Sequence, residues 1–217
     1  QSLTVSNSQF LNNFAAPLAG DTAATTGGAL RVVEQCATRT PAVTISITNS
    51  VFQGNRVRPV TQNGLGGAVF IEVQADVTIS DSRFVGNEVV VPVAVASQIY
   101  RSGGVQVRSK SLLIERSEIS NNALVDPQSR DVTRAGGLQL INQLADLQDP
   151  VDAMTARIRN STIAGNVSPA TAGARLVVGN VAPTVTHGLN KTNLITLTYA
   201  DGAGSIRTIS DTEPITL

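Results

Sequence analysis

The chain has 217 residues, enough for one domain of ordinary size with a substantial core. Its 16 Lys and Arg balance 16 Asp and Glu, and only 15% of it is charged, which argues against phosphate-backbone binding as the main task. One cysteine (Cys36) and one histidine (His187) exclude an intrachain disulfide framework, a cysteine-based zinc site and a multi-histidine metal centre.

Valine, isoleucine and threonine supply 62 residues, asparagine 15 and glycine 18, a composition that points to an all-β chain with many turns. No apolar run reaches the roughly 18 residues of a membrane helix. No signal peptide is read in it, and the chain opens at Gln1 and not at Met, so a chain processed or cut from something longer is expected.

The first element, residues 3–13 (LTVSNSQFLNN), sets a pattern that returns without a gap at 45–55 (ISITNSVFQGN), 77–87 (VTISDSRFVGN), 112–122 (LLIERSEISNN) and 156–166 (ARIRNSTIAGN). The sixth position is always serine: Ser8, Ser50, Ser82, Ser117 and Ser161. The last is always asparagine: Asn13, Asn55, Asn87, Asn122 and Asn166. The eighth is Phe10, Phe52, Phe84, Ile119 and Ile163. Val77-Thr-Ile-Ser80 alternates apolar and polar, as a strand with one buried face does. The Asn/Asp-Ser pair that follows bends the chain, through asparagine's tolerance of the left-handed region and local side-chain hydrogen bonds.

A small-residue pair then opens another strand, at Gly27-Gly28, Gly66-Gly67, Gly103-Gly104, Gly136-Gly137 and, degenerate, Ala172-Gly173. Successive closing asparagines are 32 to 44 residues apart, so the length variation falls in segments 14–26, 31–42, 56–65, 88–102, 123–135 and 141–155. Repetition of this kind describes a right-handed parallel β-helix solenoid of about five coils over 1–176, with three short strands per coil. At strand spacing of roughly 4.8 Å, such a rod is on the order of 24 Å long. Stacked apolar residues form its interior, the serines fill a tight corner with their hydroxyls on turn backbone, and the asparagines hydrogen-bond side chain to side chain. Arg31 falls where the alternation expects an apolar residue. Residues 177–217 stay β-rich and read as a hairpin cap or as irregular terminal coils. A bare first coil would expose apolar interior and strand edges, so continuation of the rod or a covering partner is expected.

The glycine pairs with Ala29 and Ala68, and the closing Phe52-Gln-Gly-Asn55 and Phe84-Val-Gly-Asn87, resemble the GGA and FxxN repeats of chlamydial polymorphic outer-membrane proteins. More broadly they are similar to right-handed (pectate-lyase-like) β-helix repeats. The resemblance covers about residues 1–176; Ile119 and Ile163 depart from it by replacing Phe. It implies an adhesin, passenger domain, surface fibre or enzyme acting on acidic polysaccharide.

An enzyme of that kind requires carboxylates gathered on one face. Neighbouring blocks instead set Asp81 between Asn49 and Arg116, and Glu115 and Glu118 opposite Ser80 and Arg83. The densest polar segment holds Asp126, Arg130, Asp131 and Arg134, which could bind a uronate or calcium, or simply form a solvated loop. Asp126-Pro-Gln128 resembles the Asp-Pro-His motif of alginate epimerases, but Gln128 removes the proton-transfer group. His187 has no carboxylate near it in sequence, and Cys36 has no neighbouring base. The glycine pairs lack the Gly-Lys-Ser/Thr of a phosphate loop. Val89, Val90, Val91, Val93 and Val95 make an apolar segment that packs along its own rod or buries against another chain. Sequons occur at Asn160, Asn166 and Asn190.

The sequence therefore reads as a non-enzymatic extracellular or cell-surface rod, structural or adhesive, within a larger fibre, sheath or adhesin assembly. Its partners are other protein chains or further copies of itself, with carbohydrate as a further option. Nucleic acid, a transmembrane segment, a metal and a cofactor are not expected. The rivals are a carbohydrate-active enzyme (lyase, hydrolase or epimerase) and a trimeric phage tail fibre segment.

Overall fold

The computed structural model describes residues 2–17, 25–33, 43–59, 64–73, 75–91, 101–125, 134–141, 155–168, 174–177, 184–189, 195–200, 206–209 and 215–216. Their secondary structure is all β. Strands of successive repeat blocks lie side by side in parallel sheets, an arrangement consistent with a solenoid.

The first sheet joins Ser2–Ser6, Val43–Thr48, Ala75–Ser80, Ser111–Glu115 and the start of Thr155–Ala164. Its register sets Val5, Ile47, Ile79, Ile114 and Ile158 in one row, and the last four are completely buried. β-Branched residues suit such a pleated surface, and the outward positions between them are largely Ser and Thr. Each first-sheet strand ends at a left-handed residue: Asn7, Asn49, Asp81, Arg116 or Asn160, with φ between 46° and 51°. After glycine, asparagine and aspartate tolerate this conformation best, which suits four of these five corners; Arg116 is the exception.

Beyond the corner, Gln9–Leu11, Val51–Gln53, Arg83–Val85, Glu118–Ser120 and the end of Thr155–Ala164 form the second sheet. Phe10, Phe52, Phe84, Ile119 and Ile163 fill its inner row. The rings stack face to face, with centroids 4.5 Å apart for Phe10 and Phe52 and 4.9 Å for Phe52 and Phe84.

The sheet that follows the glycine pairs runs through Leu30–Val33, Val69–Glu72, Val105–Arg108, Leu138–Ile141 and Ala174–Val177. Val69, Ile71, Val105, Val107, Leu138 and Leu140 close the core against the first two sheets. The glycines permit backbone-on-backbone contact between blocks: a Cβ on Gly67 would stand 1.8 Å from the carbonyl oxygen of Gly103. Arg31 does not break the alternation. It shares a row with Phe70, Gln106 and Gln139, set between the core-facing positions, and is itself exposed.

Among the described residues, each of the first four repeats holds five strand segments, not three. The additional ones are Phe14–Ala15, Arg56–Val57, Glu88–Val90 and Ala123–Val125, which pair into a sheet of their own, and the pairs Thr25–Thr26 with Gly64–Leu65 and Arg101–Ser102 with Arg134–Ala135. They lie inside segments read from sequence as variable connections. Strands of two or three residues are too short for alternation to reveal them. Val57, Val89, Val91 and Leu124 pack there into a second small core, so Val89 and Val91 face inward, 0% and 1% exposed, and are not surface residues.

Toward the carboxyl end, Ile195–Ala200 pairs parallel with Ala174–Val177 and antiparallel with Ile206–Ile209. Thr184–Leu189 pairs parallel with Thr155–Ala164 and antiparallel with Ile215–Thr216.

Candidate functional site

The serines of the repeat form one continuous series. Backbone N–H groups of Ser8, Ser50, Ser82 and Ser117 donate to the hydroxyl oxygens of Ser50, Ser82, Ser117 and Ser161, at 3.1–3.2 Å. Each hydroxyl in turn donates to the carbonyl two residues back, from Ser8 to Ser6 through Ser161 to Arg159. From Ser50 to Ser161, every corner hydroxyl is thus both donor and acceptor, which keeps its burial inexpensive.

The asparagines form a second series, with two bonds at each step. Asn13, Asn55, Asn87 and Asn122 donate both their backbone N–H and their Nδ2 to Oδ1 of the asparagine in the next block, at 2.8–3.0 Å. The second Nδ2 hydrogen reaches back to a carbonyl of the preceding block: Asn55 to Phe10, Asn87 to Phe52, Asn122 to Phe84 and Asn166 to Ile119. Asn55, Asn87 and Asn122 are completely buried, and this full pairing is what makes three buried amides tolerable.

Charge also runs between neighbouring blocks. Arg116 grips Asp81 with two bonds of 2.7 and 2.8 Å, and its Nη1 lies 3.1 Å from Glu115. Arg159 holds Glu115 at 2.7 Å, and Arg83 meets Glu118 at 2.8 Å. Arg56 pairs with Glu88, Arg108 with Glu72, and Ser111 donates to Asp76 at 2.5 Å. The two hydrogen bonds from Arg116 hold the Asp81 carboxyl below its ordinary range, and the same contact raises Arg116. Arg159 does the same to Glu115, while Glu118 is lowered first by the Ser120 hydroxyl and then by Arg83. These carboxylates are stabilised as anions and each faces a cation, which suits a cross-link and not proton transfer. Asn49 donates to Asn7 at 2.6 Å in the same corner column, a neutral counterpart of the Arg116–Asp81 contact.

Asp126, Arg130 and Asp131 lie outside the described residues, as do Val93, Val95, Cys36 and Asn190. Arg134 opens the strand Arg134–Ala135, in register with Arg101–Ser102. His187 sits opposite Ile158 in the first sheet. Val90 is half-buried, between inward-facing Val89 and Val91. Asn160 is exposed at its corner and Asn166 is buried in the asparagine series. Among the described residues there is no group of three or more His, Cys, Asp or Glu that could hold a metal ion. No helix among them is long and apolar enough to cross a membrane. Aligned blocks already set Asp81 beside Arg116 and Glu118 opposite Arg83; the Arg56–Glu88 contact escaped the sequence reading, although each residue directly follows a closing asparagine. Glu72 meets Arg108 because the strands pair one residue off the glycine-pair alignment.

No family model, curated protein or solved structure matches the chain.

Proposed function

We propose that the chain is a right-handed parallel β-helix of about five coils that serves as a non-enzymatic structural or adhesive rod outside the cell, within a larger fibre, sheath or adhesin assembly. The observation that carries this reading is the unbroken run of paired serines and asparagines from Ser8 and Asn13 to Ser161 and Asn166. The Arg116–Asp81, Arg159–Glu115 and Arg83–Glu118 contacts point the same way, since each couples neighbouring blocks and stabilises a charged carboxylate. Polar groups arranged for stacking make a stiff support, and recognition then belongs to the segments of variable length.

The test is to purify the full chain, image it by electron microscopy, and incubate it with acidic polysaccharides. A rod that leaves uronate polymers uncut is expected. Polymer cleavage or epimerisation that disappears in Asp126→Asn with Asp131→Asn overturns the reading in favour of a carbohydrate-active enzyme. Fractionation of the source cells checks the location, and recovery of the chain from the cytosol alone overturns it.

A further inference from the structure

The fifth position of the blocks is Asn7, Asn49, Asp81, Arg116 and Asn160, and the sixth is always serine. Only the fifth block follows this pair with a threonine, where the others have Gln9, Val51, Arg83 and Glu118. The corner therefore becomes an Asn-x-Thr acceptor sequence at Asn160-Ser161-Thr162 and nowhere else in the column.

The surroundings of Asn160 differ from those of its column mates. Asn49 is bonded to Asn7, and Arg116 to Asp81. Asn160 is exposed, and its side chain makes no hydrogen bond among the described residues. The pairing of Thr155–Ala164 with Thr184–Leu189 also skips it: Arg159 faces Gly188 and Ser161 faces Leu189, with a register shift between them. Its φ of 50° turns the backbone at a corner that Ser161 anchors from inside. Asn166-Val167-Ser168 carries the same kind of sequence in the opposite environment. Asn166 is 6% exposed, its Oδ1 accepts two bonds from Asn122, and its Nδ2 donates to the Ile119 carbonyl. A sugar on that nitrogen leaves no room for the closing rung.

We infer that Asn160 is an acceptor for an N-linked oligosaccharide and that Asn166 is not. In the transfer, Asn160 Nδ2 attacks the anomeric carbon of an oligosaccharide carried on a lipid pyrophosphate. The N–C bond forms as the anomeric C–O bond breaks, the pyrophosphate leaves with the electron pair, and one amide proton passes to a base of the transferase. The inference rests on the exterior location proposed above. The experiment separates the two by supplying the compartment: the full chain is expressed behind a secretion leader in eukaryotic cells.

Chain from the medium and from the lysate is treated with peptide N-glycosidase, and conversion of asparagine to aspartate is read peptide by peptide. Conversion at Asn160 and none at Asn166 is expected, with Asn190-Lys-Thr192 read separately. Thr162→Val should abolish conversion at Asn160 without touching that residue, and Asn160→Gln should remove the corresponding gel shift. An unconverted Asn160, or an Asn166 converted as fully as Asn160 in folded chain, overturns the inference.

Discussion

Asn87 and Asn122 are joined twice, backbone N–H and side-chain Nδ2 of the first both meeting Oδ1 of the second at 2.9 Å. Asn122 also donates to the Phe84 carbonyl and to Asn166 Oδ1, so its amide satisfies four groups at a site with no access to water. Asn122→Ala should therefore cost about 3 kcal/mol or more, because buried groups lose their partners. Asn13→Ala, at an exposed rung, should cost less than about 1 kcal/mol. Urea denaturation of the two variants checks the contrast, and equal costs would mean that the series does not stabilise the fold.

The stacked rings give a second measurement. Phe84→Ala should destabilise by about 3–5 kcal/mol, as deletion of a fully buried ring does. Phe52 touches the same ring, so the double variant should fall short of the sum of the singles.

Acid should weaken the protein through Asp81, Glu115 and Glu118. Their folded values lie below the ordinary 3.8 for Asp81 and 4.5 for the glutamates, so their contribution is complete above those values. It is lost as the pH falls through the lowered values of the folded state. Thermal midpoints should thus drop below about pH 4.5, and Asp81→Asn with Glu115→Gln should flatten that drop. Added salt should have a similar flattening effect on these exposed pairs.

Two glycines distinguish crowding from backbone conformation. Gly67→Ala places a methyl group against the Gly103 carbonyl, and should cost about 3 kcal/mol or prevent folding. At Gly86, φ is 64° and a methyl group on the α-carbon would meet nothing within 4 Å. Gly86→Ala should therefore cost only roughly 1–2 kcal/mol of left-handed strain. Gly86→Asn should be milder still, since Asn12 and Asn121 hold the equivalent corner.

Val91→Glu puts a charge among Val57, Val89 and Leu124. The expected outcome is loss of monomer stability with association unchanged, read by denaturation and by sedimentation. Loss of association with intact stability would instead return this residue to the surface.

How much of this was legible in the sequence depends on repetition. The serine and asparagine columns could be read because five gapless blocks repeat the same residues, and only in-register stacking makes such identity useful. Phe10, Phe52 and Phe84 were legible for the same reason. The short strands at Arg56–Val57 and Glu88–Val90 were not, since two or three residues carry no period. The inward turn of Val89 and Val91 was legible as one of two options, because a run of valines looks the same whichever side it presents. Arg31 misled because Phe70, its partner in the next block, is apolar while facing away from the common core. Arg116 at a left-handed corner has no propensity behind it; Asp81 beneath it supplies the attraction that replaces one.

The asparagine series has a direction. Asn55, for one, donates two hydrogen bonds to the block that follows and one to the block before it. A block leaving the ribosome therefore waits with two unanswered donors until its successor arrives, and that successor brings the matching oxygen together with a proton for a carbonyl of the waiting block. Growth by such handshakes favours assembly in the order of synthesis, one layer templating the next.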